Sequence, residues 1–177
     1  TKTDPVHRVS IVARDRSLGD TQMGPDRDNY QQTKIELVEM IAALLGGRAA
    51  EELVFHELTA GAANDIERAT RIARQMVVDL GMSSLGPINL GPQWETTEWG
   101  RAMFEPTNLS PVMQARVDEA IKKFMDEGYK VAVEMLKKHR SKLNKIAERL
   151  IEVETLDGEE FEKLMGVKKM RVKEDGQ

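Results

Sequence analysis

A mainly α fold, with one small β hairpin near the N-terminus and two long antiparallel helices toward the C-terminus, is what this sequence predicts. Three observations predict it. The 177 residues hold four Phe, two Trp and two Tyr against ten Met, which suits an aliphatic, helix-packed core better than a β sandwich. Apolar residues recur three and four apart in long stretches after Thr33, the period of a buried helix face. Strand-like composition is concentrated between His7 and Gln22. The length fits one domain on a prior of about 150 residues, here taken as 1–167 with a charged, disordered tail at 168–177.

In chain order, His7 to Ala13 is a β-branched run, followed by a charged turn and a short return, so strands are expected near 7–14 and 18–23. Gly24-Pro25-Asp26 is turn chemistry, and 26–32 is too polar to pack. Thr33 with Glu36 makes a capping box ahead of Ile35, Leu37, Val38, Ile41, Ala42, Leu44 and Leu45. Gly46-Gly47 punctuates that helix, and Arg48 to Phe55 resumes it. After the small-residue loop Leu58 to Ala63, Asn64 stands as an N-cap for a helix whose buried stripe is Ile66, Ala69, Ile72, Ala73, Met76, Val77 and Leu80, with Gly81 as its end. Residues 82–110, with Pro87, Pro92, Pro106 and both tryptophans, read as a long irregular segment. Val117, Ile121, Phe124, Gly128, Val131 and Met135 then alternate four and three apart, and Leu143, Ile146, Leu150 and Val153 do the same, giving the two long helices. A last short helix is expected from Thr155.

Several chemistries are excluded at once. Lys plus Arg number 26 against 30 Asp plus Glu, a net charge of −4, whereas a phosphate-backbone binder needs a basic excess, so no nucleic-acid partner is expected. Without cysteine there is no disulfide, thiolate ligand or thiol nucleophile. His7, His56 and His139 are the only histidines, and no two share the i, i+4 spacing with which a helix presents two imidazoles to zinc. No phosphate-binding G-x-x-x-x-G-K-[ST] loop occurs. What remains is Gly61 to Thr70, where a small-residue approach delivers carboxylates at a helix start. The simpler reading of Asn64, Asp65 and Glu67 is helix capping; a metal ligand, or a hydrogen bond to one, is the other.

At these residues the chain resembles a known family. Asp4-Pro5-Val6-His7-Arg8-Val9-Ser10-Ile11, Leu18-Gly19-Asp20-Thr21, Leu44 through Phe55, Thr59 through Thr70, Gly81-Met82-Ser83, Leu85-Gly86-Pro87 and Glu154 through Phe161 recur in the order found in the FtsH family, the membrane-anchored AAA+ zinc metalloproteases of peptidase family M41. The resemblance implies a helical metallopeptidase domain of an ATP-dependent enzyme. Zinc in that family is held by two histidines of a His-Glu-x-x-His helix, whose glutamate is the general base, and by the aspartate of a Gly-Ala-x-Asn-Asp segment.

Carried onto this sequence, the aspartate is Asp65. No catalytic residue falls within the chain, which is expected to begin just after the His-Glu-x-x-His helix and to be inactive alone. Glu51 and Glu52 are the alternative carboxylates; a solvated face with a salt bridge to Arg48 is their simpler reading, and a part for Glu51 in or beside the metal site is the alternative.

By similarity, the strand around Leu18, Gly19, Asp20 and Thr21 is the sheet edge on which a substrate peptide adds a strand. Asp20 stands there where the family has an apolar or aromatic residue, Ala13 where it has proline, Asp15 where it has glycine, and His56 where it has glycine. The family further implies protein substrates drawn from membrane and misfolded proteins, a homo-hexamer, a Zn2+ cofactor, and ATP bound by a module outside this stretch. It also implies membrane anchoring, with the peptidase domain facing the cytoplasm or an organellar equivalent. Two other readings are a catalytically dead relative serving as a helical interaction or assembly module, and an all-helical adaptor with no metal history.

Overall fold

The computed structural model describes residues 5–13, 19–24, 32–91, 93–96, 102–105 and 109–166. Its contacts form two compact units, one within Gln31–Leu136 and one composed of Thr3–Tyr30 with Lys137–Gln177. Leu18, Asp15, most of the polar loop at 26–32 and the tail at 168–177 lie outside the described residues.

The first unit is helical. Thr33 caps α1 (Lys34–Leu44) as expected: its Oγ1 accepts from the Glu36 backbone N–H at 3.3 Å, and the Glu36 carboxylate accepts from the Thr33 N–H at 2.7 Å. Leu45 alone separates α1 from α2 (Gly46–Phe55). At φ −78°, ψ −3°, with its N–H still bonded to the Ile41 carbonyl at 3.0 Å, it turns the chain without leaving helical space. Gly46 and Gly47 therefore open the second helix instead of dividing the two.

A 3-10 turn at Ala60–Ala62 leads straight into α3 (Ala63–Val78). Gly81, at φ +58°, closes that helix by letting the Met82 N–H reach the Met76 carbonyl at 2.9 Å. α4 (Pro111–Lys138) is the longest helix.

The core of this unit joins Leu37, Val38 and Ile41 of α1, Ala69, Ala73, Met76 and Val77 of α3, and Val117, Ala120, Ile121 and Phe124 of α4. Ile35 and Leu80 were expected on buried stripes and are exposed. Ile35 lies in the first turn at the N-terminal end of α1, and Leu80 lies past the end of α3. The heptad-like reading of α4 also drifts. Its buried face runs Val117, Ile121, Phe124, Gly128 and Ala132, with Val131 half-buried and Met135 exposed, because Ala132 packs with Ala42 of α1 and Ala49 of α2 in a second small cluster. Gly128 lies so near α1 that a Cβ there would collide with Ile41 Cγ2 and sit 3.1 Å from Ile41 Cβ.

The stretch read as irregular contains an antiparallel pair, β3 (Gln93–Thr96) with β4 (Ala102–Glu105), Trp94 opposite Phe104. Proline density on both sides hid two short runs of strand-forming residues.

The second unit is built on a three-stranded antiparallel sheet in the order β2-β1-β5, with β1 Val6–Ser10, β2 Asp20–Met23 and β5 Thr155–Asp157. The hairpin was expected; the third strand was not. Thr155 does not start a helix: Leu156, fully buried, pairs across from Val9, and the Asp157 carboxylate caps α6 (Gly158–Met165) by accepting from the Glu160 N–H at 2.8 Å. Gly158 is where α6 meets β1, since a Cβ there would be 2.7 Å from the Val6 carbonyl oxygen. α5 (Arg140–Val153) adds Arg149, which donates to Glu160 at 2.8 Å and to Glu152 at 2.9 Å.

Candidate metal centre

Asp65 belongs to the first turn of α3, where the exposed N–H groups at the positive helix end favour a carboxylate. Its side chain is 46% exposed, and its ion pair with Arg68 Nη1 is long, at 3.8 Å. Such an exposed pair costs little to break, so the carboxylate is open to an incoming cation. Glu67, two residues on, is occupied differently, pairing with Arg71 at 2.8 Å on a solvated face.

The turn that delivers Asp65 is pinned from α2. Glu51 Oε1 accepts from Thr59 Oγ1 at 2.6 Å and Glu51 Oε2 from the Thr59 backbone N–H at 3.4 Å. Thr59 Oγ1 in turn accepts from the Gly61 N–H at 3.2 Å, capping the 3-10 turn. Two expectations change here. Asn64 is not the N-cap, because the 3-10 turn carries helical geometry past it and α3 begins at Ala63, with Thr59 taking over the capping role. Glu51 does not pair with Arg48 among the described residues; it faces the loop. The sequence reading missed Thr59. A threonine two residues ahead of Gly61, in a run of small residues, was the available signal.

Beside Glu51, Glu52 accepts a hydrogen bond from the Tyr129 hydroxyl of α4. That bond, then burial, then the Glu52 charge raise the Tyr129 pKa above its ordinary value, with Arg48 working in the opposite direction. At the end of α2, His56 adopts the left-handed conformation at φ 55°, ψ 24°, at the position where the family resemblance places glycine.

In the second unit, Gly19 abuts β1, where a Cβ would meet the Ser10 carbonyl oxygen at 2.6 Å. Asp20 accepts from Arg8 Nη2 at 3.0 Å, and Thr21 stands opposite Val9. β2 is the outer strand of its sheet, with no strand on its other side among the described residues. His7 is exposed and lines a cleft of about 400 Å3 with Asp157, Glu159 and Glu162. Among the described residues no three His, Asp or Glu side chains gather in a metal-binding arrangement. No helix among them is long and apolar enough to cross a membrane.

A half-exposed aspartate on a pinned helix start, following the small-residue turn, fits one oxygen ligand of a zinc ion. With zinc held there, it would supply one corner of a tetrahedron and no more. Among known proteins, the profile of peptidase family M41 matches residues 1–164. The chain belongs to peptidase family M41. It is 46% identical over 163 residues to ATP-dependent zinc metalloprotease FtsH 1 of Thermoanaerobacter sp. strain X514, covering 92% of this chain and 27% of that protein. It is also 46% identical to the FtsH of Pseudothermotoga lettingae and 44% to that of Thermotoga maritima, each across 92% of this M41 chain. The chain thus spans about a quarter of the length of the curated relatives it matches.

Proposed function

We propose that this M41 chain is the peptidase-domain portion of an ATP-dependent zinc metalloendopeptidase that degrades membrane and misfolded proteins, with Asp65 as the third zinc ligand. The openness of the Asp65 carboxylate, held among the described residues by nothing stronger than a 3.8 Å pair with Arg68, carries this reading. A carboxylate destined only for capping would be closed onto backbone N–H groups, as that of Asp157 is at 2.8 Å.

Zinc, when bound, would lower the pKa of a coordinated water toward about 7 and polarise the scissile carbonyl. This chain's own residues prepare that site. Asp65 offers an oxygen, and Glu51 with Thr59 holds the turn that aims it. No His-Glu-x-x-His stands in the 177 residues, so the imidazole pair and the general base would come from chain outside them. The stretch tested alone would then bind zinc weakly and leave casein uncut. The β2 edge, with Gly19, Asp20 and Thr21, would take the substrate backbone as an added strand, a mode that tolerates many sequences. Leu18, assigned to the same edge by resemblance, would precede it. The hexameric ring, the membrane anchor and a cytoplasm-facing peptidase domain belong to the same reading.

The test is Asp65→Asn in the intact protein. Zinc retention and casein cleavage should fall together by more than about 100-fold, beyond the range seen when a ligand's hydrogen-bonding partner is changed, while ATP hydrolysis stays within twofold of about its starting rate. Unchanged proteolysis would sink the assignment and leave an assembly module as the better description. Loss of ATPase together with proteolysis would make Asp65 a folding residue.

A further inference from the structure

We propose that Asp20, tethered to Arg8, makes the β2 edge select a basic side chain over an acidic one at one position of the docked peptide. The inference rests on β2 being the substrate edge. The register places Asp20 opposite Ser10 and Gln22 opposite Arg8, and alternation along a strand puts these four on one face. β5 extends that face with Thr155 opposite Ser10 and Asp157 opposite Arg8, while Val9 and the buried Leu156 share the other. One side of the sheet carries Val9 and Leu156 on its inner strands with exposed Thr21 at the edge, and the other is polar.

On the polar face, Ser10 Oγ and Thr155 Oγ1 share a hydrogen bond at 2.8 Å. The Arg8–Asp20 pair, 3.0 Å, uses only Oδ2 of the carboxylate, and Oδ1 has no hydrogen-bond partner among the described residues. Arg8 lies on β1, one strand inward from Asp20. A peptide strand added outside β2 places its same-face side chain about 4.5–5.5 Å from Asp20, while Arg8 is rooted one strand further in, opposite Gln22, with its guanidinium on Asp20 Oδ2 at 3.0 Å. The nearer charge sets the preference. Arg8 neutralises Asp20 from behind, which keeps the carboxylate in place but leaves the outer side of the edge negative. Apolar side chains, which the family pattern would favour at this place, lose their apolar neighbour here.

Cross-strand charge pairs are modest, so the contrast between Lys and Glu at that position is about 2- to 20-fold. It should appear in KM with kcat unchanged, because the contact is the same in the ground and transition states. With both side chains about a third exposed, 30% for Arg8 and 35% for Asp20, the contrast should shrink as salt is added.

The experiment uses the intact protein and fluorogenic peptides that differ only in Lys, Leu or Glu at each position flanking the cleaved bond. One position should favour Lys over Glu. Asp20→Asn should erase that preference, Asp20→Leu should turn it toward Leu, and Arg8→Gln should sharpen it by removing the compensating charge. An unchanged Lys-to-Glu ratio in Asp20→Asn, with its circular dichroism intact, overturns the proposal. A parallel series of peptides N-methylated at single backbone positions separates this from the docking reading. If no N-methyl group raises KM, strand addition itself is wrong. If alternate N-methyl groups raise KM while the charge ratio ignores Asp20, only the specificity proposal fails.

Discussion

Replacing His56 by glycine should stabilise the helical unit. His56 ends α2 at φ 55°, ψ 24°, with its N–H bonded to the Glu52 carbonyl at 3.2 Å, and its side chain is exposed. An L-residue in the left-handed region costs about 1–2 kcal/mol. Glycine avoids that cost but gives back about 0.4–1 kcal/mol through the greater freedom of its unfolded chain. No packing is lost with the exposed imidazole, so a net gain of about 0.5–1 kcal/mol is expected, or about 1–4 °C in Tm for a chain of this size. Urea unfolding followed by circular dichroism reads it as a higher midpoint at constant m. His56→Ala is the control, since alanine keeps the strain and should gain nothing. Glu154, at φ 60° at the end of α5, offers the same experiment in the other unit. The reasoning fails if His56→Gly lowers the midpoint, or if alanine stabilises as much as glycine.

Gly128→Ala should destabilise by about 1 kcal/mol, because the overpacking against Ile41, typically about 1–3 kcal/mol, outweighs the roughly 1 kcal/mol gain in helix propensity. In the double variant with Ile41→Ala, the two losses should be less than additive by denaturant titration. Tyr129→Phe removes the bond to Glu52 and should cost about 1 kcal/mol at neutral pH. The Tyr129 pKa is raised in the folded state, so its contribution is complete below the unfolded value of 10.0 and disappears as pH rises through the folded value. Wild type and variant should therefore converge in stability only above that range, and convergence at lower pH would contradict the assigned bond.

The helical half of the fold was legible because its signals are local. The Thr33–Glu36 capping box needs only neighbouring residues, and the apolar stripes of α1, α3 and α4 follow from helix period alone. The same locality explains the misses. Thr155-Leu156-Asp157 is too short to announce a strand and becomes one only because β1 offers it a partner. The β3–β4 pair is likewise a non-local bond between two four-residue runs. In α4 the sequence cannot tell that the packed side shifts to Ala132, because Ala42 of α1 and Ala49 of α2, distant along the chain, decide it.

For the candidate site, the motif singled out Asp65 as a proposed ligand, and the hairpin that carries the β2 edge was legible. Thr59 was not, because its role depends on a carboxylate eight residues away whose direction is set by how α2 ends. By itself the sequence determined the mainly helical class, the Thr33–Glu36 cap and the family, properties carried by contiguous residues. Tertiary structure decided which carboxylates are free to act. Glu51 is committed to Thr59, Glu52 to Tyr129, Asp157 to its own helix and Asp20 partly to Arg8, while among the described residues Asp65 keeps a weak pair with Arg68. The commitment of a charge depends on what folding brings within hydrogen-bond reach, and spacing along the chain does not encode that distance.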